Sequence, residues 1–401
     1  MTDLAPVQHW LLTEGRALPS LADFVGGLAH QLNTHGLDVA RLFVGSSVLH
    51  PQVLALLTRW EADNDEVKTI LFTPDVFDEI GEEDTPMDDS RATKAPIRYP
   101  LHALERHDYQ DVQALLDAGY TDYLLFPMIR GGEWEGGINV CTRRNGGFTD
   151  GQRQALEDLV PAICAVADRL YSNYVREQLL CAYLGQDAGR RVHHGQVRRG
   201  DQQTVEAAIW FSDLRGFTRL SESSTPDEVI KAINEAFEVI VESIHDAGGQ
   251  VLKFMGDGLL GMFLDDPEVH TSESDHNACD RAVAAASDAQ QRLAALRDVQ
   301  QAAGRPQTHV GVGLHYGDVT YGNIGAEGRL DFTVIGRAVN LASRIEGLCS
   351  KLEQSVLASK AVVDRATSTH LELVGHHEVK GVAEPIAVYA QARPSPGDPN
   401  N

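Results

Sequence analysis

The sequence predicts an α+β protein of two domains, each an antiparallel sheet partnered by helices. Three observations lead there. The chain has 401 residues, more than one hydrophobic core usually serves, since single cores stop growing at roughly 250–300 residues. Two hairpins are written into it, with apolar arms flanking Arg130-Gly131-Gly132-Glu133 and, further on, Gly256-Asp257-Gly258. Between strand-like runs lie segments with apolar residues three and four apart, such as Val229, Ile233, Phe237, Ile240 and Ile244, the mark of a helix with one buried face.

Composition narrows the function. A net charge of −24 argues against a nucleic-acid partner, which needs a basic surface to displace counterions. A nucleotide substrate remains compatible, because metal ions and a few local cations can neutralise its phosphates. The 43% hydrophobic and 23% charged residues are those of an ordinary globular chain. No apolar run approaches the roughly 20 residues that span a bilayer, and the first residues, with Asp3 and Pro6, carry no signal-peptide pattern. No membrane partner and a cytoplasmic location are therefore expected. Cys141, Cys164, Cys181, Cys279 and Cys349 are scattered and odd in number, which disfavours disulfides and zinc.

In chain order, residues 1–19 read as a polar lead-in. Ser20 caps a helix carrying Leu21, Phe24, Val25, Leu28 and Leu32; strands follow at Val39–Val44 and Val67–Phe72. The acid-rich run Asp75–Asp89 reads as a solvated loop. Strands at Tyr123–Ile129 and Trp134–Cys141 form the first hairpin, and a helix starts at Asp150. The run Gly119-Tyr120-Thr121-Asp122-Tyr123-Leu124-Leu125-Phe126-Pro127-Met128, then Gly136-Gly137-Ile138-Asn139-Val140 and Gly147-Phe148-Thr149-Asp150, resembles the second half of a GAF domain. The resemblance implies a sensory module over residues 20–170, with a small-molecule pocket above an antiparallel sheet. Neither the residue set of cyclic-nucleotide-binding members nor a Cys-His bilin-attachment pair is present, so the ligand stays unknown, and a structural or dimerising role stays open.

The helix from Gln152 to about Leu184 carries Leu156, Leu159, Ile163, Val166 and Leu170 at alternating spacings of three and four. That seam fits a parallel two-helix contact or, in its first part, packing on its own domain; Pro161 marks a possible kink. Residues 171–204 read as a helical linker or transducer, with Arg190, Arg191, Arg198 and Arg199 as surface or interdomain residues. A strand Val205–Phe211, a helix Pro226–His245, a hairpin Gln250–Phe263, a helix Asn277–Ala303 and a strand His309–Tyr316 then give the order β-α-β-β-α-β. That is the ferredoxin-like arrangement, with helices on one face of the sheet. Residues 392–401 read as a disordered tail.

Two acidic turns stand out in this half. Ala208 to Asp213 is an apolar strand ending in a carboxylate, followed by a turn through Gly216 into a helix; Asp257 sits at the tip of the second hairpin. Two carboxylates on adjacent strand ends can share divalent ions, and the amides of Leu214, Arg215, Gly216, Phe217 and Thr218 are suited to a polyphosphate. With these, the blocks Trp210–Thr218, Val251–Gly258, Gly311–Gly317 and Asp331–Arg344 closely resemble the class III nucleotide cyclases over residues 205–391.

The resemblance implies that Asp213 and Asp257, with the backbone carbonyl of Leu214, bind two Mg²⁺ or Mn²⁺ ions per active site. It implies that Asn340 orients the ribose and Arg344 stabilises charge at the α-phosphoryl group, and that Lys253 and Thr333 read the base. Lysine can donate to adenine N1 and threonine can accept from the exocyclic amine, whereas a lysine facing guanine N1–H pairs donor with donor. The expected substrate is ATP and the expected activity adenylate cyclase, a phosphorus-oxygen lyase. The rivals are a guanylate cyclase and a catalytically silent nucleotide-binding dimer. Threonine at 333 points to class IIIb, which makes bicarbonate a candidate effector. One chain holds one catalytic domain with both residue sets, so the family's shared sites imply a homodimer. Lys380 aligns only loosely with a phosphate-contacting lysine and carries no assignment.

Overall fold

In a computed structural model the chain is described over residues 3–76, 85–265, 277–368 and 371–391. The backbone divides into two compact units, Met1–Leu179 and Leu180–Asn401. The expected tail at 392–401 lies outside the described residues, as does the 77–84 part of the acid-rich run.

The first unit opens with helix α1 (Ala5–Leu12), whose Val7 and Leu11 are fully buried. The expected polar lead-in is thus part of the core; its apolar pair, four residues apart, is too short for a period to show. Helix α2 (Leu21–Thr34) starts where the cap predicts, with Ser20 Oγ accepting the Asp23 amide at 3.1 Å. Then come β1 (Arg41–Ser47), β2 (Ala55–Glu61), β3 (Glu66–Phe72), α3 (Pro86–Thr93), β4 (Ile97–Tyr99), α4 (Gln110–Asp117), β5 (Asp122–Arg130), β6 (Glu133–Thr142) and the long α5 (Asp150–Leu184). The strands form one sheet in the order β3-β2-β1-β6-β5-β4, antiparallel throughout. Strand β2 was not anticipated, although Leu56, Thr58 and Trp60 alternate inward along it. The end of the acid-rich run is likewise not a solvated loop: Thr85 and Asp88 form a capping box that starts α3.

Phe24, Leu28 and Leu32 of α2 and Leu156, Leu159, Ile163, Val166 and Leu170 of α5 share one core against the sheet. Over that stretch the α5 seam packs on its own unit rather than on a partner helix. Pro161 lies inside an unbroken helix, where its missing N–H forfeits one hydrogen bond. Asp122, fully buried, pairs with Arg98 at 2.8 Å and accepts the Phe148 amide at 2.9 Å. A Cβ at Gly147, where φ is +70°, would lie 2.5 Å from that carboxylate, which explains the glycine before Phe148.

The second unit comprises α6 (Gln186–His193), β7 (Gln202–Leu214), α7 (Phe217–Ser223), α8 (Pro226–Asp246), β8 (Gln250–Met255), β9 (Gly258–Leu264), α9 (Ala278–Ala302), β10 (Val310–Ala326), β11 (Arg329–Ile335), α10 (Arg337–Glu346), β12 (Val356–Ser359), α11 (Lys360–Val363), β13 (Leu371–His377) and β14 (Ile386–Gln391). Its strands run β13-β14-β12-β10-β7-β9-β8, with β11 paired to β10. Within this, β10-β7-β9-β8 is the predicted ferredoxin-like order, antiparallel throughout. Helices α8 and α9 cover one face, packing Ile240, Ile244, Ala282 and Val283 on Trp210 and Phe263. The other face is covered too: Ala338 and Ala342 of α10 and Ala188 of α6 pack on Ile209, Met262 and Tyr321. The expectation of helices on one face alone is therefore incomplete.

The five cysteines are free thiols. Arg191 is held within the unit, bonded to Asp187 at 2.6 Å, and Asp187 also accepts the Tyr321 hydroxyl at 2.9 Å. No helix among the described residues is long and apolar enough to cross a membrane.

His315 on β10 has its Nδ1 2.8 Å from Ser359 Oγ, and burial pushes its pKa down to about 4. The unfolded chain takes up this proton near 6.5, so the folded state binds fewer protons between those values and loses stability as pH falls through them. From pH 8 to pH 5 this histidine's share of the loss is about 2 kcal/mol. Urea titrations at the two pH values should show a drop smaller by that amount in His315→Gln.

Candidate active site

Strand register brings the two predicted metal carboxylates together. Asp213, one residue before the end of β7, pairs with Gly258 of β9, and Asp257 lies in the tight β8–β9 turn just before Gly258. The Leu214 amide donates to the Asp257 carbonyl at 3.2 Å, fastening the hairpin tip to the end of β7. A Cβ at Gly258 would stand 3.1 Å from Asp213 Oδ1, so glycine there leaves the carboxylate its space. Burial, and then the neighbouring Asp257, raises the Asp213 carboxyl above the usual carboxylate range. Neither aspartate forms an ion pair with a basic side chain among the described residues. Two crowded oxygen ligands without a counter-cation suit a divalent ion. They do not complete a site alone: no group of three or more His, Cys, Asp or Glu among the described residues could hold a metal. Backbone carbonyl and substrate phosphate oxygens would have to supply the remainder.

The loop after β7 corrects one expectation. Of the five amides from Leu214 to Thr218, that of Leu214 is used by Asp257 and that of Arg215 donates to the His309 carbonyl at 2.8 Å. Gly216, with φ +71°, turns the chain into α7, and the amides of Gly216, Phe217 and Thr218 lie at the start of that helix. Leu214 to Phe217 and Thr308 line an open pocket of about 270 Å³.

Asn340 and Arg344 share one face of α10, Asn340 exposed and Arg344 half-buried. Arg344 does not bridge to Glu346. Its guanidinium lies over the Gly381 backbone, where an added Cβ would be 3.2 Å from one terminal nitrogen. Lys380, next to it, is exposed. Lys253 lies on β8, the strand beyond β9, and Thr333 on β11, which pairs with β10; the Thr333 hydroxyl is buried with no hydrogen-bond partner.

Sequence reasoning missed Glu346. Gly313 lets α10 lie directly on β10, since a Cβ there would meet the Ala342 carbonyl and the Glu346 amide at 2.4 Å. Gly311, the cross-strand partner of Asp213, leaves a slot that the Glu346 carboxyl fills, its Oε1 2.5 Å from where a Cβ would stand. Burial, and next the charge of Asp213, pushes this carboxyl up to about 7. Arg215 stands beside it and bonds to the Gln354 carbonyl. The glycine spacing Gly311-x-Gly313 was the available signal, but it points to a helix contact only once the strand's partner is known.

Residues 200–391 match the adenylate and guanylate cyclase catalytic domain. Over 201 residues the chain is 34% identical to an adenylate cyclase of Anabaena cylindrica, covering 48% of this chain and 38% of that protein. It is 33% identical over 185 residues to adenylate cyclase 1 of Rhizobium meliloti, covering 46% and 27%. The chain thus spans well under half the length of these relatives. Among solved structures it is similar to the adenylyl cyclase CyaB from P. aeruginosa (30% identity, TM-score 0.43, 49% of this chain and 99% of that one). The guanylyl cyclase Cya2 is similar at the same identity, with a TM-score of 0.40 over 48% and 96%. The match supports a class III nucleotide cyclase catalytic domain over residues 200–391.

Proposed function

We propose that the protein is a homodimeric adenylate cyclase that converts ATP to 3′,5′-cyclic AMP and pyrophosphate. The observation that carries this reading is the convergence of Asp213 and Asp257 at adjoining strand ends, accompanied by a lysine and an unpartnered threonine hydroxyl that match adenine. In the reaction the ribose 3′-oxygen bonds to the α-phosphorus while the bond to the α–β bridging oxygen breaks. Asp213, Asp257 and the Leu214 carbonyl would hold two Mg²⁺ or Mn²⁺ ions. Such ions, when bound, acidify the 3′-hydroxyl and neutralise the departing pyrophosphate. The amides of Gly216, Phe217 and Thr218 orient phosphate oxygens, Asn340 positions the ribose, and Arg344 offsets charge growing on the α-phosphoryl oxygens.

Among the described residues no hydrogen bond or ion pair joins Asp213 or Asp257 to Lys253, Thr333, Asn340 or Arg344. This supports a site completed by a second copy. Residues 20–170 serve in this reading as a GAF-like sensor for a small molecule, residues 171–204 as its transducer, and residues 205–391 as the catalytic domain that bicarbonate addresses.

Incubation of purified full-length protein with ATP and Mn²⁺, then Mg²⁺, tests it. Cyclic AMP should form, with kcat/KM for ATP about a hundredfold above that for GTP. A preference for GTP would make it a guanylate cyclase; inertness to both, in a folded dimer, would leave a silent nucleotide-binding module.

A further inference from the structure

Arg215 is the cation nearest in sequence to the two acidic turns, two residues on from Asp213, yet among the described residues it pairs with neither aspartate. Its guanidinium bonds to the Gln354 carbonyl, and its Nε is buried with no partner. A Cβ at Gly311 would stand 2.5 Å from Glu346 Oε1 and 3.5 Å from Arg215 Nε, so the two side chains converge on one point of β10. Asp213 is the cross-strand partner of Gly311, and directly paired residues project to the same face. The Asp213 side chain therefore shares its face of the sheet with an unpaired guanidinium nitrogen and a third carboxyl.

Two carboxylates crowded at one strand end attract a cation. An arginine two residues away has the reach and the forked donors to supply it. The guanidinium would then cover the oxygens that a divalent ion needs. Glu346 is placed to compete for it. The end of α10 is fixed from below, with the Cys349 amide donating to the Glu346 carbonyl at 2.7 Å and Cys349 Sγ to the Val312 carbonyl at 3.4 Å. Burial and then Asp213 raise the Glu346 carboxyl, while the charge of Arg215 draws it down. Arg215 and Glu346 thus already attract each other where they stand.

We infer that Glu346 is a positioning residue that keeps the metal carboxylates open: with the Gln354 carbonyl it holds the Arg215 guanidinium away from Asp213 and Asp257. This rests on the metal role of those aspartates in the adenylate cyclase reading. The inference makes a distinctive claim about sign. Removing a nearby negative charge weakens cation binding in any case, but only a displaced Arg215 makes that loss depend on the arginine being present.

The test is a double-variant cycle on the full-length protein, with Mn²⁺ binding followed by electron paramagnetic resonance, which needs no turnover. It is run at about pH 8, above the value of about 7 to which the Glu346 carboxyl is pushed. Glu346→Gln should weaken Mn²⁺ binding about tenfold, with the melting temperature little changed. Arg215→Gln should shift it by less than about threefold, and Glu346→Gln/Arg215→Gln should return to within about threefold of Arg215→Gln alone. Glu346→Asp, which withdraws the carboxylate by one methylene, should show a smaller loss and the same restoration, and serves if the glutamine variant does not fold. Unchanged Mn²⁺ affinity in Glu346→Gln, or a gain from Arg215→Gln that is equal in both backgrounds, would overturn the inference while the metal site stands. A wild type that binds no Mn²⁺, or binds it equally well as Asp213→Ala, would overturn both.

Discussion

Asp257→Ala is expected to lower cyclic AMP formation at least a thousandfold while leaving the fold intact or slightly more stable. The two effects have opposite signs for one reason. Asp213 and Asp257 share the end of the β7–β9 pair, and the Asp257 charge, after burial, disfavours that of Asp213. Removing one relieves that repulsion in the protein alone but deletes half of the side-chain oxygen set that would hold two divalent ions. A lost metal contribution of about 4 kcal/mol to the transition state corresponds to three decades in rate. Mn²⁺ titration followed by electron paramagnetic resonance should show weakened binding in both Asp257→Ala and Asp213→Ala. Full activity, or unchanged Mn²⁺ affinity with activity lost, would remove the metal role from this pair.

The second large effect is recovery by mixing. Asp213→Ala and Asn340→Ala should each be inactive, yet equal amounts allowed to exchange subunits should regain about a quarter of wild-type activity. Random exchange makes half of the dimers mixed, and each mixed dimer restores one of its two sites. The restored site takes Asp213 from the Asn340→Ala chain and Asn340 from the Asp213→Ala chain. Verified heterodimers with no activity would show that each chain builds its site alone.

Much of this was readable without coordinates. Asp213 and Asp257 were placed by apolar strands that lead into them, Asn340 and Arg344 by the resemblance to class III cyclases, and the ferredoxin-like order by the alternation of periods 2 and 3.6. Short or contested signals were not. Helix α1 holds its core position with two residues, Val7 and Leu11, and β2 is a half-buried strand whose alternation is broken by a polar inward Thr58 and an apolar outward Leu57.

The local sequence by itself determined which residues carry carboxylate, ammonium, hydroxyl and guanidinium groups, and on which elements they ride, because periodicity and turn chemistry act over a few neighbours. Only the tertiary structure decided what those groups meet. The α5 seam, suited equally to a partner helix, is buried against the first unit's sheet. The Leu214 and Arg215 amides, suited to phosphate, are taken by Asp257 and His309 carbonyls. Glu346 sits beside Asp213, and Asp331 pairs with Lys253, across sequence separations of 133 and 78 residues. Burial, charge and hydrogen bonding act through space, and only the packing of strand on strand and helix on sheet fixes those distances.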